Sequence, residues 1–163
     1  MHIEKQWISE EVLFSAIEEQ LAEGRQAAFV VTGMSMWPFL CHGRDQVIIE
    51  KCNPSTLKVG DIILFQRPTG KFILHRITRI KDGLFETVGD GNCFRDGWFD
   101  FLCVRAKVVS LIRKNKTISC DSFCWKCIFK VWMGLFPIRR YLLSGLKGIS
   151  RIKNRLKHIK KDR

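Results

Sequence analysis

The sequence predicts a mainly β domain that is preceded by one amphipathic helix and followed by a basic amphipathic helical tail. Apolar residues recur at helical spacing before residue 27, and helical spacing returns after residue 117. Between them, short β-branched or aromatic runs alternate with turn residues. We therefore divide the 163 residues into an N-terminal helix (1–26), a partly barrel-like β-domain (27–116) and a tail (117–163).

The first helix is predicted to begin after Ser9, a suitable N-cap residue, and to end at Gly24, which suits the C′ position. Its apolar stripe consists of Val12, Leu13, Ala16, Ile17 and Leu21. A stripe of this kind favours packing against the domain over binding a partner.

Six strands are predicted in the β-domain. They are Ala27–Thr32, Gln46–Lys51, Asp61–Gln66, Lys71–Ile80, Leu84–Val88 and Cys103–Ile112. Pro68-Thr69-Gly70 and Lys81-Asp82-Gly83 are the predicted hairpin turns.

The tail combines an apolar stripe with a strong positive charge. Pro137 interrupts an aromatic run, and a stripe follows at Ile138, Leu142, Leu146, Ile149, Ile152, Leu156 and Ile159. Basic residues lie between them, among them Arg139, Arg140, Lys147, Arg151 and Lys153. This pattern predicts contact with a membrane surface. A partner protein and a nucleic acid are the alternatives.

The charge distribution separates the tail from the rest of the chain. The formal net charge is +12, yet residues 126–163 hold twelve Lys/Arg and a single acid. The remainder is nearly neutral, so a nucleic-acid-binding face is not expected there. The first 25 residues are rich in glutamate and no apolar run reaches about 18 residues, so neither a signal peptide nor a spanning helix is predicted.

Seven cysteines occur without a disulfide framework, which favours reduced thiols. We therefore expect a cytoplasmic protein that is peripheral on the cytoplasmic membrane. Cys120, Cys124 and Cys127 have a spacing that iron–sulfur clusters also use. Because they share a helical face with Ile128 and Val131, a packed or membrane-facing stripe is the preferred interpretation. No cofactor or metal is expected.

One serine stands where a strand is predicted to break into a tight turn. Ser35 follows the run 29–32 and a glycine, and Pro38 comes three residues later. Such a turn holds a hydroxyl exposed on a rigid support. The other chemically capable side chains of the region come later in the chain: His75, Asp90 and Asp96.

Four separated segments carry a family resemblance. They are Gly33-x-Ser35-Met36-x-Pro38, Val59–Phe65, Leu74-His75-Arg76-Ile77 and Gly89-Asp90-x-Asn92. Together they resemble the type I signal peptidases and their LexA-like relatives over residues 28–111. The pattern is most similar to the branch of archaea and the endoplasmic reticulum, in which a histidine replaces the general-base lysine.

The resemblance implies a serine endopeptidase with a Ser-His-Asp mechanism, in which Ser35 is the nucleophile and His75 the base. Either Asp96 or Asp90 orients His75. We expect Asp96 to contact it and Asp90 to form a turn behind, although the sequence leaves that order open. Lys71 is an alternative base, because residues four apart on a strand point the same way. Two further carboxylates match family positions but are expected to be structural: Asp45 and Asp61.

Backbone N–H groups at Ser35 and its neighbours are expected to form the oxyanion hole. Many signal peptidases place a hydroxyl two residues before the serine, where this chain has Gly33. Met34, Met36 and Trp37 are expected either to form an apolar rim for an extended peptide or to belong to the core.

The predicted substrate is a leader, signal or precursor peptide. Two alternatives keep the fold without this activity: a non-catalytic or self-cleaving LexA-like regulator, and a membrane-surface adaptor.

Overall fold

The structure is a computed structural model that describes the backbone of residues 10–161 and the side chains of residues 11–150. The predicted N-cap Ser9 lies outside the described residues. The helices are α1 (Glu10–Ala22), α2 (Phe123–Gly134) and α3 (Arg139–Lys161). The strands are β1 (Ala27–Val30), β2 (Gln46–Glu50), β3 (Ile62–Gln66), β4 (Phe72–Lys81), β5 (Leu84–Val88), β6 (Trp98–Asp100), β7 (Val104–Arg113) and β8 (Lys116–Ser119).

All eight strands join one antiparallel sheet. Its order is β1-β2-β7-β3-β4-β5-β6, and β8 pairs with the end of β7. One core cluster gathers buried residues of α1 and of the strands around β2 and β7, and a second gathers Phe65, Phe85 and their neighbours. The mainly β architecture with helices before and after it is confirmed.

Each predicted strand is present, with ends that differ by at most two residues. Two strands were not predicted. β6 has only three residues, too few to show an alternating pattern. β8 follows a turn in which Lys114 and Asn115 both have positive φ, at 49° and 61°. That is the backbone of a two-residue hairpin turn without its usual glycine. The strand after this turn extends the sheet to Ser119, three residues beyond residue 116.

Helix α1 packs against the sheet, as predicted, through part of the predicted stripe together with Phe14, which was not predicted. Phe14, Ile17 and Leu21 are buried, whereas Val12 is 61% exposed and Ala16 is also exposed. The phenylalanine stacks on Phe72 of β4 at 4.0 Å between ring centroids. Burial of a large aromatic side chain outweighs that of a valine or an alanine, so the helix turns its phenylalanine inward.

The tail is docked on the β-domain through aromatic side chains. Phe129 and Trp132 of α2 are buried and pack edge-on against Phe39, with centroid distances of 5.1 and 5.4 Å. Arg139 and Leu143 of α3 are also buried. Within residues 10–161, no helix has both the length and the apolar character that crossing a membrane requires.

Candidate active site

Ser35 and His75 line one groove of about 570 Å³. The serine lies in the turn that follows β1, and the histidine lies in the first half of β4. The groove also has apolar walls, contributed by Leu13 and Phe14 of α1, Phe29 of β1, and Phe72 and Leu74 of β4. The fold therefore brings together two residues that are forty positions apart in the sequence.

Asp96 is the carboxylate that contacts His75. Its Oδ2 lies 2.5 Å from His75 Nδ1. The histidine side chain is 6% exposed and the aspartate side chain 1%. When Nδ1 carries the proton that Asp96 accepts, the tautomer is fixed and Nε2 is left with its lone pair.

Two further side chains hold Asp96 in place. Thr87 Oγ1 donates to Oδ2 at 2.9 Å, and Arg67 donates to Oδ1 at 2.9 Å. Burial raises the pKa of the Asp96 carboxyl, but hydrogen bonds from His75 and Thr87 and the charge of Arg67 outweigh it and leave the pKa lowered. The carboxylate therefore stays ionised beside the imidazole. Sequence reasoning missed both supporting residues, since neither belongs to a recognisable motif.

The turn that carries Ser35 is held against residues 89–92. Gly91 N–H donates to Ser35 O at 2.7 Å. A Cβ atom on Gly89 would lie 2.4 Å from Ser35 O and 2.9 Å from His75 Nε2. The histidine nitrogen and the serine backbone thus converge on one point, and only glycine permits that approach.

Glycine is also required at position 91. A Cβ atom there would lie 2.7 Å from the carbonyl oxygens of Met34 and Trp37. Sequence reasoning treated Gly89-Asp90-Gly91-Asn92 as turn chemistry and missed its packing role. Two glycines separated by one residue were the sequence feature that could have indicated a close approach of two backbone segments.

Within the described residues, Ser35 Oγ makes no hydrogen bond, and neither does Ser35 N–H. In this part of the chain, Ser35 Oγ is therefore not hydrogen-bonded to His75 Nε2. The N–H is available as a donor. Gly33 N–H is not, because it donates to Nδ1 of His42 at 3.1 Å.

Asp90, one of the predicted catalytic residues, binds Arg76 rather than His75. Arg76 donates to its two carboxylate oxygens at 2.9 and 2.6 Å, and both residues are 1% exposed. Arg76 also donates to Gly60 O at 2.7 Å, and its guanidinium lies 3.7 Å from the centroid of Phe129. Successive β4 side chains point to opposite faces, so the two neighbours take two different aspartates.

The tail supports the 89–92 turn from behind. Trp132 Nε1 donates to Asp90 O at 3.1 Å. Arg139, 1% exposed, reaches the carbonyls of Gly89 and Asn92 at 3.5 Å and that of Trp132 at 3.1 Å. Burial lowers the pKa of Arg139. The sequence shows Arg139 only as one of the basic residues of the tail, whereas the structure buries it as a further donor to this turn, in which Gly89 O also accepts from Asn92 N–H at 2.9 Å.

The remaining candidates occupy different positions. Lys71 lines the groove but is exposed. Asp45 is buried and accepts from Arg44 and Arg113 at 2.8–2.9 Å. Asp61 accepts from Lys58 N–H at 3.0 Å and pairs with Lys107 at 3.2 Å. Both aspartates stabilise loops and strands outside the groove, as expected.

The predicted apolar rim is only partly present. Met36 is 2% exposed and lines the groove, whereas Met34 is 57% exposed and Trp37 does not reach the groove. The aromatic walls of α1, β1 and β4 take that place, because α1 packs over the end of the groove.

The three cysteines of the tail do not form one cluster on a helix. Cys120 lies in the turn after β8, where burial raises its pKa to about 11. Cys124 and Cys127 are exposed on α2. Among the residues whose side chains are described, no three His, Cys, Asp or Glu are grouped so as to hold a metal ion.

No protein-family model matches this chain, and no curated protein sequence matches it.

Proposed function

We propose that the protein is a serine endopeptidase with a signal-peptidase/LexA-like fold, and that Ser35, His75 and Asp96 perform the reaction. The observation that carries the proposal is the buried contact between His75 and Asp96 beside the Ser35 turn. A histidine with one nitrogen fixed by a carboxylate and the other left with its lone pair, in a groove that a serine also lines, is suited to activate a hydroxyl.

The proton pathway follows from the tautomer. Ser35 Oγ attacks the carbonyl carbon of the substrate peptide, and His75 Nε2 takes the hydroxyl proton. The same nitrogen then gives the proton to the departing amine, which leaves an acyl-enzyme on Ser35. A water molecule, deprotonated in turn by His75, hydrolyses that ester. Asp96 stabilises the imidazolium and is not itself protonated.

The free N–H of Ser35 supports an oxyanion hole built from backbone donors. Gly33 supplies no side-chain hydroxyl and its own N–H is occupied by His42. Loss of one donor costs about 10²–10³-fold in rate, so we expect a slow peptidase.

The shape of the groove favours an extended peptide. Residues 72–75 of β4 pair with β3 on one side, while β5 pairs only with residues 76–81. β1 is the edge strand of the sheet and pairs only with β2. Two unpaired backbone edges therefore border the groove, and a peptide strand added to either places its carbonyl groups near Ser35. A leader or precursor peptide fits this mode of binding.

The test is cleavage of a panel of leader and precursor peptides, with products identified by mass spectrometry. We expect Ser35→Ala and His75→Ala to lower the rate at least ~10³-fold, and Asp96→Asn to approach that loss because it disturbs the histidine tautomer. Ser144→Ala is the matched control, since Ser144 is an exposed serine on α3. Equal cleavage by the wild type and Ser35→Ala would overturn the proposal.

A further inference from the structure

Helix α2 is apolar on two faces, and only one of them is packed. Its inner face consists of Trp125, Phe129 and Trp132, which contact Phe39. Its outer face carries a second apolar stripe at i, i+3, i+4 and i+7, formed by Cys124, Cys127, Ile128 and Val131. The two cysteines are exposed, Ile128 is 46% exposed and Val131 is 63% exposed.

The outer stripe borders a shallow apolar pocket of about 330 Å³. The lining residues are Phe39, Cys127, Ile128, Val131, Trp132 and Leu135. One of them, Phe39, lies four residues after Ser35, so this surface is continuous with the loop that carries the candidate nucleophile.

Helix α3 extends the apolar surface away from the sheet. Leu143 of this helix is buried, whereas two later residues of the predicted stripe are exposed, at 37% for Leu146 and 65% for Ile149. Phe123 and Tyr141 add exposed rings, at 80% and 77%. Exposed apolar residues grouped in this way are available to another surface.

The charge of this region indicates what that surface is. Lys130, Arg140 and Lys147 are exposed on α2 and α3, and Lys126 is exposed but pairs with Asp121 at 2.9 Å. The sequence from Phe123 onward contains a single acidic residue, Asp162. Each cation near an anionic bilayer contributes about 1 kcal/mol. Nucleic acid would use the cations but not the aliphatic stripe, whereas a bilayer interface uses both.

We propose that the outer face of α2 and the exposed stripe of α3 bind the surface of an anionic lipid bilayer. The stripe enters the interfacial region, and the lysine and arginine side chains contact lipid headgroups. The protein then lies on the membrane with the Ser35 loop close to the lipid, at the height where a membrane-associated peptide presents its backbone.

The test is co-sedimentation of the full chain with lipid vesicles. We expect tight binding to vesicles with about 30% phosphatidylglycerol in phosphatidylcholine, and at least ~10-fold weaker binding to phosphatidylcholine alone, because several cations contribute. Val131→Glu is expected to weaken binding to the anionic vesicles at least ~10-fold. Its exposed position leaves the fold intact, which circular dichroism checks.

Leu102→Glu is the matched control, since Leu102 is 84% exposed on the connection between β6 and β7. We expect it to bind the vesicles like the wild type. Equal binding to neutral and anionic vesicles would overturn the proposal. Wild-type binding by the Val131→Glu variant would also overturn it. That result would mean that the cations alone attract the protein, as they would attract it to a nucleic acid, and that the apolar stripe is not used. The readout does not involve cleavage, so its outcome is independent of the peptidase proposal.

Discussion

Gly89 is the residue at which the geometry of the candidate site is most restricted. Alanine at this position places its Cβ 2.4 Å from Ser35 O, 2.8 Å from Asn92 Nδ2 and 2.9 Å from His75 Nε2. We expect Gly89→Ala to lower stability by about 1–3 kcal/mol through overpacking, and peptide cleavage by about 10²-fold through displacement of the reacting groups. Urea denaturation and the cleavage rate measure the two effects.

Gly145→Ala is the control for that substitution. Nothing lies within 4 Å of its added Cβ, and the residue is in the middle of α3. Alanine is a better helix former than glycine, so stability is expected to stay equal or rise by up to about 1 kcal/mol. If Gly89→Ala behaves like this control, the turn that carries Ser35 does not approach the 89–92 turn as closely as described.

Asp45 predicts a pH dependence of stability. Burial raises the pKa of its carboxyl, but hydrogen bonds from Arg44, Arg113 and Cys41 N–H outweigh it and hold the pKa well below its usual range. A carboxyl with a lowered folded-state pKa stabilises the protein above the unfolded-state pKa of about 3.9. That stability is lost as the pH falls from about 4 through the lower folded value.

We therefore expect Asp45→Asn to cost about 2 kcal/mol at pH 7, a value discounted because both arginines reach solvent. The difference from the wild type should shrink as the pH approaches 2. Urea denaturation at several pH values measures it. A difference that is constant with pH contradicts the ion pairing.

At the scale of single residues, the sequence indicated the site residues that lie in a recognisable motif. It did not indicate those whose role depends on tertiary contacts. The resemblance indicated Ser35 and His75, and the structure places both in one groove. It left Asp90 and Asp96 undecided, because two carboxylates near one strand cannot be assigned until the direction of each side chain is known. Thr87 and Arg139 carry no local pattern, so their roles depend on contacts with residues far along the chain.

At the scale of the elements, the start of α3 contacts the 89–92 turn. Arg139 donates to three carbonyl oxygens there, which a lysine cannot reproduce because it lacks the planar fork. We expect Arg139→Lys and Arg139→Met to lower kcat about 10–100-fold with little change in KM, since the turn that holds Ser35 moves while the groove walls remain.

Arg140→Met is the control, because its side chain is exposed beside the buried one. It removes an equal charge and is expected to leave kcat unchanged. A merely structural role for Arg139 would lower the amount of folded protein but would not change kcat per folded molecule. That result would contradict the positioning role.

Elements were predictable where the periodicity was strong. The six predicted strands and the apolar stripes of the tail follow from spacing of side chains, which local sequence records. The inward face of α1 was predicted in part: Ile17 and Leu21 are buried as expected, but Phe14 was missed because only the contact with Phe72 selects it. β8 was missed because the Lys114-Asn115 turn adopts positive φ without glycine.

At the scale of the whole molecule, the tail contributes side chains to the buried interior. Phe129 covers the Arg76–Asp90 pair, and Trp132 binds the Asp90 carbonyl. Loss of each buried aromatic side chain costs about 3–5 kcal/mol, against a total stability of about 5–15 kcal/mol for a domain. We expect a chain that ends after Asp121 to lose most of its stability and its peptide cleavage.

A chain that ends after Gly148 keeps the buried residues of α2 and α3. We expect its free energy of unfolding to stay within about 0.5 kcal/mol of that of the full chain, because Ile149 and Ser150, the removed residues whose side chains are described, are exposed. Thermal and urea denaturation of the two shortened chains test this. Equal stability of both would show that the aromatic contacts contribute nothing.

At this scale the sequence predicted the order of helix, sheet and tail but treated the tail as an appendage. The apolar stripe and the positive charge of the tail could be predicted from the sequence. The inward face of α2 could not, because an aromatic run interrupted by lysines is compatible with either a membrane interface or a protein core. The docking of the tail on Asp90 and Phe39 joins segments about forty and ninety residues apart, and no local pattern records such a contact.

The buried guanidinium behind the serine turn also sets an order of events during synthesis. Arg139 follows every strand in the chain, so the ribosome delivers it after the whole sheet has emerged. Until then Asn92 O lacks its contact with Arg139, and Gly89 O has only the hydrogen bond from Asn92 N–H. A nascent chain that already has its sheet therefore still lacks this support behind the Ser35 turn. Under the proposed function, we expect peptide cleavage to begin only after translation has passed Arg139.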